Sequence, residues 1–231
     1  MLSAVIIAKD EADRIGPALA SVAFCDEVLV LDAGSLDGTP ELARSAGARV
    51  LATDWPGFVA QRNRAWAEAK GDWILAIDAD EEVTPQLREA VLAAVASDAA
   101  GASMPRRNHW LGHRLSHGRW YPDRKVRLAR KAASRWVGGD VHETLEVDGR
   151  ILSLNADLFH HPYRDLEDHL RKVARYAELA RRPGTSLDVA IRPVWSFLQG
   201  YLLQGGFQDG YPGLCVAAID ALYVLLKWAP R

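Results

Sequence analysis

The chain carries only two cysteines in 231 residues, Cys25 and Cys215, far apart in sequence. That excludes a disulfide framework and a zinc site built on cysteines, and it fits a reducing compartment. No run of 18 or more uncharged apolar residues occurs, so no membrane span is expected. The opening Met-Leu-Ser-Ala-Val-Ile-Ile-Ala-Lys-Asp has no basic n-region, and its apolar run is too short for a signal peptide. It reads instead as a first strand. Internal repeats and low-complexity tracts are absent too, which excludes solenoids and disordered linkers.

What is present is ordinary in bulk and uneven in arrangement. Apolar residues make up 49% and charged residues 25%, enough for one good-sized core with or without an appendage. The net charge of −2 hides an asymmetry. Residues 1–100 hold 17 Asp/Glu against 8 Lys/Arg, and residues 101–231 hold 13 against 20. The sharpest block, 106–131, has nine Lys/Arg and the single acid Asp123. An acidic half suits a cation site, and a basic half suits an anionic partner.

The first hundred residues alternate apolar strands with helical stretches. Strands are predicted at Ala4–Ala8, Glu27–Asp32, Arg49–Thr53 and Trp73–Ile77. Helices are predicted from about Glu11 to Val22, from Thr39-Pro40, from about Val59 to Lys70, and from Thr84-Pro85. The Thr-Pro pairs are N-cap and first-turn signals, and Gly71 is a C-cap signal. Such alternation implies βαβ units and a mostly parallel sheet, with ligands bound beyond the carboxyl ends of its strands. Carboxylates fall at those ends: Asp10 and Glu11, Asp32, Asp54, then Asp78 and Asp80. Residues 102–150 read as strands and long loops rich in Trp, His and Arg. Residues 165–182 read as a charged helix, and 192–228 as an apolar, aromatic stretch punctuated by glycine.

Two local patterns carry chemistry. In Asp78-Ala79-Asp80, alternate residues at a strand end can share one hard cation, or one can hold metal and the other a ribose. By itself the pair reads equally as an acidic cluster before a helix. In Asp32 to Thr39 a carboxylate, a glycine turn and a capped helix can receive a nucleoside, or can simply be a turn.

With Val5 to Glu11, Asp32 to Thr39 and Asp78-Ala79-Asp80 at these separations, the chain resembles a family 2 glycosyltransferase. Gln61-Arg62-Asn63, Asp123 to Leu128, Val141-His142-Glu143 and Gly206 to Gly210 extend the likeness to the lipopolysaccharide core β-glucosyltransferases, over nearly the whole chain. The resemblance implies the GT-A fold: an α/β, Rossmann-like, mostly parallel sheet flanked by helices, here with a C-terminal helical appendage. Residues 1–100 would form the nucleotide-sugar half, 101–163 the acceptor-side half and 164–231 the appendage, which could meet a membrane interface or pack on the core.

The resemblance further implies an inverting transfer of a hexose, expected to be glucose from UDP-glucose, to a hydroxyl of a cell-envelope glycolipid such as lipopolysaccharide core. The implied cofactor is Mg²⁺ or Mn²⁺. Donor contacts are expected from Ala8, Lys9, Asp10, Glu11, Asp32, Gln61, Asn63, Asp78 and Ala79. Ala8-Lys9-Asp10-Glu11 departs from the Thr-x-Asn-Glu of many members, which costs Asp10 two donors. Metal ligation is expected from Asp80, with His160 or His161 as candidates to complete the shell. Glu143, or alternatively Asp140, is the expected general base. Trp120, Asp123, Arg124, Lys125 and Arg127 are expected on the acceptor side, because aromatic faces stack on sugars and cations meet phosphate. The expected location is cytoplasmic, at most peripheral on the inner membrane face. The interspersed Lys/Arg match no nucleic-acid motif. A nucleotidyltransferase would need a basic glycine-rich loop where Lys9-Asp10-Glu11-Ala12 stands. A nucleotide- or glycan-binding module that has lost catalysis is the other alternative.

Overall fold

The computed structural model describes residues 1–139 and 143–229. It contains strands β1 (Leu2–Ala8), β2 (Glu27–Asp32), β3 (Arg49–Ala52), β4 (Trp73–Asp78), β5 (Glu81–Val83), β6 (Gly101–Trp110), β7 (His113–Arg114), β8 (Asp123–Arg130), β9 (Ser134–Val137), β10 (Thr144–Val147), β11 (Ile151–Ser153) and β12 (Leu158–His160). The helices are α1 (Ile15–Ser21), α2 (Thr39–Ser45), α3 (Phe58–Glu68), α4 (Pro85–Val95), α5 (Leu166–Leu179), α6 (Ser186–Leu198) and α7 (Gly210–Trp228). The chain divides into two compact units, one of residues 1–106 and 124–159, the other of 107–123 and 160–231. Residues 107–123, from the middle of the chain, group with the C-terminal helices.

In the first unit the sheet runs β3-β2-β1-β4-β8-β6-β12-β5. Strands β3, β2, β1 and β4 are parallel, and β8 joins β4 antiparallel. The apolar runs noted in the sequence are what a parallel sheet covered on both faces requires. Alternate residues of β1 supply the two faces. Ala4, Ile6 and Ala8 pack with Ile15, Leu19, Ala43, Leu87 and Val91 from α1, α2 and α4. Val5 packs with Ala65 and Trp66 of α3 and with Trp136 and Leu145 of the β9–β10 hairpin. The register pairs Ala8 with Asp32, Asp32 with Ala52, and Ile7 with Asp78. The carboxyl ends of the four parallel strands are therefore level to within about one residue, roughly 3 Å along the strand.

Helix boundaries shift from expectation where capping chemistry intervenes. Glu11 opens a turn ahead of α1: its carbonyl accepts from Arg14 N (2.9 Å) and Ile15 N (2.8 Å), and its N–H donates to Thr39 Oγ1 (2.9 Å). The helix itself starts at Ile15. Thr84 does cap α4, accepting from Leu87 N at 3.2 Å.

The second unit is built on α5, α6 and α7 around Trp110, Leu115, Val173, Val216 and Ile219. A Thr185–Asp188 capping box starts α6, and a π-helical turn (Gln199–Leu203) follows it. Close approach at Gly213 depends on glycine: an added Cβ would lie 1.9 Å from the Gly206 carbonyl oxygen. The helical stretch Gly206–Trp228 reaches 23 residues with mean hydropathy 1.3, long and apolar enough to cross by length and composition. Its start lies among glycines upstream of Leu214, where apolar counting does not find it.

His169 is 1% exposed, and its Nδ1 accepts the Trp110 indole N–H at 3.1 Å. The indole can only donate, so this nitrogen carries no proton. Burial, then the nearby Lys172 charge, holds the His169 pKa down to about 4. The unfolded chain binds this proton from pH 6.5 downward and the folded chain does not, so His169 makes stability fall as pH drops from about 6.5 to 4. The loss is on the order of 3 kcal/mol. Asp220, raised to about 6 by burial, acts in the opposite sense over its own window. His169→Gln keeps an acceptor for Trp110 without the titration. Urea unfolding curves at pH 7 and pH 4.5 are expected to show a clearly smaller pH-dependent loss in His169→Gln than in the parent.

Candidate active site

The rim at the ends of β1, β2 and β4 is assembled by side chains that zip neighbouring loops together. Asp10 sits at φ 55°, in the left-handed region that Asp tolerates better than most residues. Its backbone N–H donates to Ser35 Oγ (2.9 Å), and its Oδ1 accepts from Leu36 N (2.8 Å). Ala12 N donates to Asp37 Oδ2 (2.9 Å). The two sequence motifs, residues 8–12 and 32–39, are thus one structural unit. Within it Asp32 is 3% exposed and accepts from Gly34 N and Ser35 N at 3.1 Å each and from Ser35 Oγ at 2.5 Å. Three of its roughly four lone-pair sites are already used inside the turn. Ala8 and Ala79 are buried, whereas Lys9 is exposed.

The end of β4 is an ion-pair network. Asp78 Oδ2 meets Arg127 at 2.6 Å, and Asp78 Oδ1 meets Arg62 at 2.8 Å. Arg127 also reaches Glu81 Oε1 at 2.8 Å, and Arg106 approaches the same oxygen at 3.5 Å. Glu81, fully buried, closes the loop by accepting the Asp78 backbone N–H at 3.0 Å. Burial alone would raise the Asp78 carboxyl, but the guanidinium of Arg127, then that of Arg62, holds it far below the usual carboxylate range. Burial opposes the charged form of Arg127, and Asp78 and Glu81 more than reverse this.

Asp80, two residues on, is in a different state. Its Oδ2 lies 3.4 Å from Arg14, a long contact, while Arg14 pairs closely with Glu11 at 2.5 Å. Burial, then the charges of Asp78 and Glu81, pushes Asp80 up to about 7. A half-buried carboxylate crowded by like charges is what a bound cation would relieve. One aspartate leaves the remaining positions to diphosphate oxygens and water, which is how Mg²⁺ is commonly held. Asp80 fits such an ion in chemistry, whereas both carboxylate oxygens of Asp78 are engaged by Arg127 and Arg62. Among the described residues no set of three or more His, Cys, Asp and Glu is gathered for a metal.

The other expected residues are distributed as follows. Gln61 is fully buried and donates to Thr53 Oγ1 at 2.5 Å. Asn63 is committed to the backbone of β9, donating to the Trp136 carbonyl (2.9 Å) and accepting from Trp136 N (3.0 Å). It docks the hairpin onto α3. Glu143 lies within 3.4 Å of Arg62. Asp140 lies outside the described residues. Arg127, expected on the acceptor side, is 5% exposed in the Asp78 network. Arg124 bonds to Ser153 Oγ and, at 2.6 Å, to the Leu154 carbonyl, and Lys125 is exposed. Four expected residues belong to the second unit: Asp123, Trp120, whose indole donates to Asp220 (3.3 Å), His160, which meets Asn108 at 2.5 Å, and His161, stacked on His109. Asp123 ends that unit's 107–123 segment and is half-buried.

The sequence reading assigned no role to Arg62, Glu81, Arg14 or Arg106. For Arg127 a signal was available: one cation among the apolar Val126, Leu128 and Ala129 of a strand marks a buried ion pair. Removing that cation leaves Asp78 and Glu81 without their main partner. Arg127→Met is expected to lose about 3–5 kcal/mol of unfolding free energy, measured by urea denaturation, well beyond the loss from a surface arginine such as Arg135.

Similarity to known proteins agrees with this geometry. Residues 3–145, more than half of the chain, match the glycosyl transferase family 2 model. The chain is 28% identical over 245 residues to the Rhizobium meliloti lipopolysaccharide core biosynthesis glycosyltransferase LpsC, covering 99% of this chain and 90% of that protein. It is 29% identical over 250 residues to an uncharacterized glycosyltransferase of Rickettsia bellii, covering 99% and 85%. Among solved structures, glucosyl-3-phosphoglycerate synthase from Mycobacterium tuberculosis, in complex with Mn²⁺, UDP and glucosyl-3-phosphoglycerate, superposes with a TM-score of 0.52 at 19% identity, over 78% of this chain and 77% of that one. The resemblance expected from the motifs is thus met across the catalytic core, and the chain belongs to glycosyl transferase family 2, with the GT-A fold.

Proposed function

We propose that this glycosyltransferase is an inverting, cation-dependent hexosyltransferase that moves glucose from UDP-glucose to a hydroxyl of a lipopolysaccharide-core-type glycolipid at the cytoplasmic membrane face. One observation carries the donor half of this reading. Asp78 is neutralised by two arginines, whereas Asp80 stands at the same strand end crowded by the like charges of Asp78 and Glu81, with Arg14 3.4 Å away. The pair therefore divides its work. Asp78 orients the strand end and can accept a ribose hydroxyl, and Asp80 is the carboxylate suited to a cation. LpsC, similar along its length, is named for lipopolysaccharide core biosynthesis, which favours that acceptor class. The mycobacterial synthase bound to Mn²⁺ and UDP favours the donor class.

When bound, Mg²⁺ or Mn²⁺ would offset charge developing on the leaving diphosphate. The chain's own part is positional and acid–base. The loops 8–12 and 32–39 offer exposed Lys9 and backbone groups to the nucleoside. Glu143 takes the proton of the acceptor hydroxyl as its oxygen bonds to the anomeric carbon. The bond from that carbon to the diphosphate breaks with its electron pair on UDP, and the configuration inverts. Arg62, touching both Asp78 and Glu143, positions the base carboxylate beside the end of β4. Arg124 and Lys125 offer cations to a phosphate-bearing acceptor.

Thermal shift with a panel of UDP-, GDP- and dTDP-sugars tests the donor, since a ligand stabilises in proportion to its affinity. UDP-glucose with Mn²⁺ is expected to give the largest rise, and Asp80→Asn to remove the cation-dependent part of it. Equal shifts with and without cation in the parent would end the metal assignment. For Glu143→Gln, turnover is expected to fall by roughly 10²–10⁴-fold with the UDP-glucose shift retained. Undiminished turnover would move the base elsewhere.

A further inference from the structure

Helix α6 leaves an apolar side uncovered. Its only buried residue is Ser196, while Leu187 (65% exposed), Ile191 (54%), Val194 (58%) and Trp195 (55%), and Leu202 (51%) in the π-helical turn that follows, present apolar side chains outward. Their positions fall at i, i+4, i+7, i+8 and i+15, one continuous helical stripe carried through the π-helical turn. Helix α7 adds Tyr211 and Leu214, and only 28% of its most apolar window is buried. A patch of this kind on a folded unit marks an interaction surface.

The rim of the patch says what covers it. Arg182 N donates to the Lys227 carbonyl at 3.0 Å, so the approach to α6 lies beside the end of α7. Arg192 lies 4.1 Å over the Trp228 ring and Arg182 lies 6.0 Å from it. Cations and an indole along one edge of an apolar face are the arrangement that sits at headgroup level, with aliphatic stems inward and charges in water. The second unit as a whole holds 12 Lys/Arg against 8 Asp/Glu. Of those acids, Asp168 and Asp209 are turned inward. Arg107 is buried as well and Lys172 pairs with Asp168, so the unit's outward charge stays positive by the same margin.

We infer that the α6–α7 face docks in the plane of a lipid bilayer interface bearing anionic headgroups. The stripe on α6 enters the acyl boundary, and Arg182, Arg192, Lys227 and Trp228 stand at the headgroups. The choice of a bilayer over a second copy of this chain rests in part on the glycolipid-acceptor reading above, since a lipid-anchored acceptor must be met at its own surface.

The test is co-sedimentation of the full chain with vesicles of equimolar phosphatidylcholine and phosphatidylglycerol, and with pure phosphatidylcholine vesicles. Binding to the anionic vesicles is expected to be about tenfold stronger or more, and to weaken with salt. Ile191→Glu/Val194→Glu/Leu202→Glu, all at exposed positions, is expected to lower that binding about tenfold or more, with the UDP-glucose thermal shift unchanged. If the triple variant does not fold, quenching of parent fluorescence by brominated phospholipid, reduced in Trp195→Phe and unchanged in a substitution of the buried Trp66, gives the same answer. The inference is overturned if the parent stays in the supernatant with both vesicle types, if the triple variant binds as the parent does, or if sedimentation equilibrium shows a dimer that the triple variant dissociates. Absence of any nucleotide-sugar thermal shift would remove the proposed reaction while leaving the vesicle result standing.

Discussion

The pairing of Asp78 with Arg127 and Arg62, buried at the end of β4, is the interaction on which the catalytic unit depends. Three elements meet there: β4 supplies the aspartate, β8 Arg127, and α3 Arg62. Glu81 adds a second carboxylate and ties it to the Asp78 backbone. Removing charges from water costs several kcal/mol per ion, and only close, multiply bonded partners offset this. The network is therefore a poor source of net stability and a strict specifier of geometry. It holds an antiparallel strand beside the parallel sheet and leaves the next carboxylate, Asp80, at the rim.

That arrangement explains why a D-x-D sequence can do two things at once. Both aspartates lie at one strand end, yet their surroundings drive their proton affinities apart, Asp78 down through arginine and Asp80 up through burial and neighbouring acids. Groups whose environments separate them in this way can take different roles. The same logic applies to the docking of β9 on α3. Asn63 uses its amide on the Trp136 backbone, and Arg62 lies 4.5 Å from the Trp136 ring. A helix and a hairpin are locked together next to Glu143.

Charge is partitioned between the units. The catalytic unit holds 22 Asp/Glu against 16 Lys/Arg, and the other holds 8 against 12. An acidic rim suits cation-assisted diphosphate chemistry, and a basic helical unit suits an anionic surface. The basic block seen in the sequence does not act as one patch. Arg106 and Arg127 lie in the Asp78–Glu81 network, and Arg107 packs on Tyr121 in the second unit.

The sequence by itself determined the parallel sheet, the level rim of strand ends and the two motifs upon it. Those follow from local rules: apolar runs of strand length, glycine turns, Thr-Pro caps, and carboxylates where strands stop. It also determined the family, because motif spacing survives along the whole chain. Only the tertiary structure decided which polar residues face a ligand and which face each other. Asn63 and Arg127 look like site residues by type and position, yet their partners, Trp136 and Asp78, lie 73 and 49 positions away. Likewise the apolar, aromatic character of 192–228 was legible, but not that the apolar side of α6 points outward. Periodicity states that a helix has an apolar face, and packing alone decides whether the protein or something else covers it.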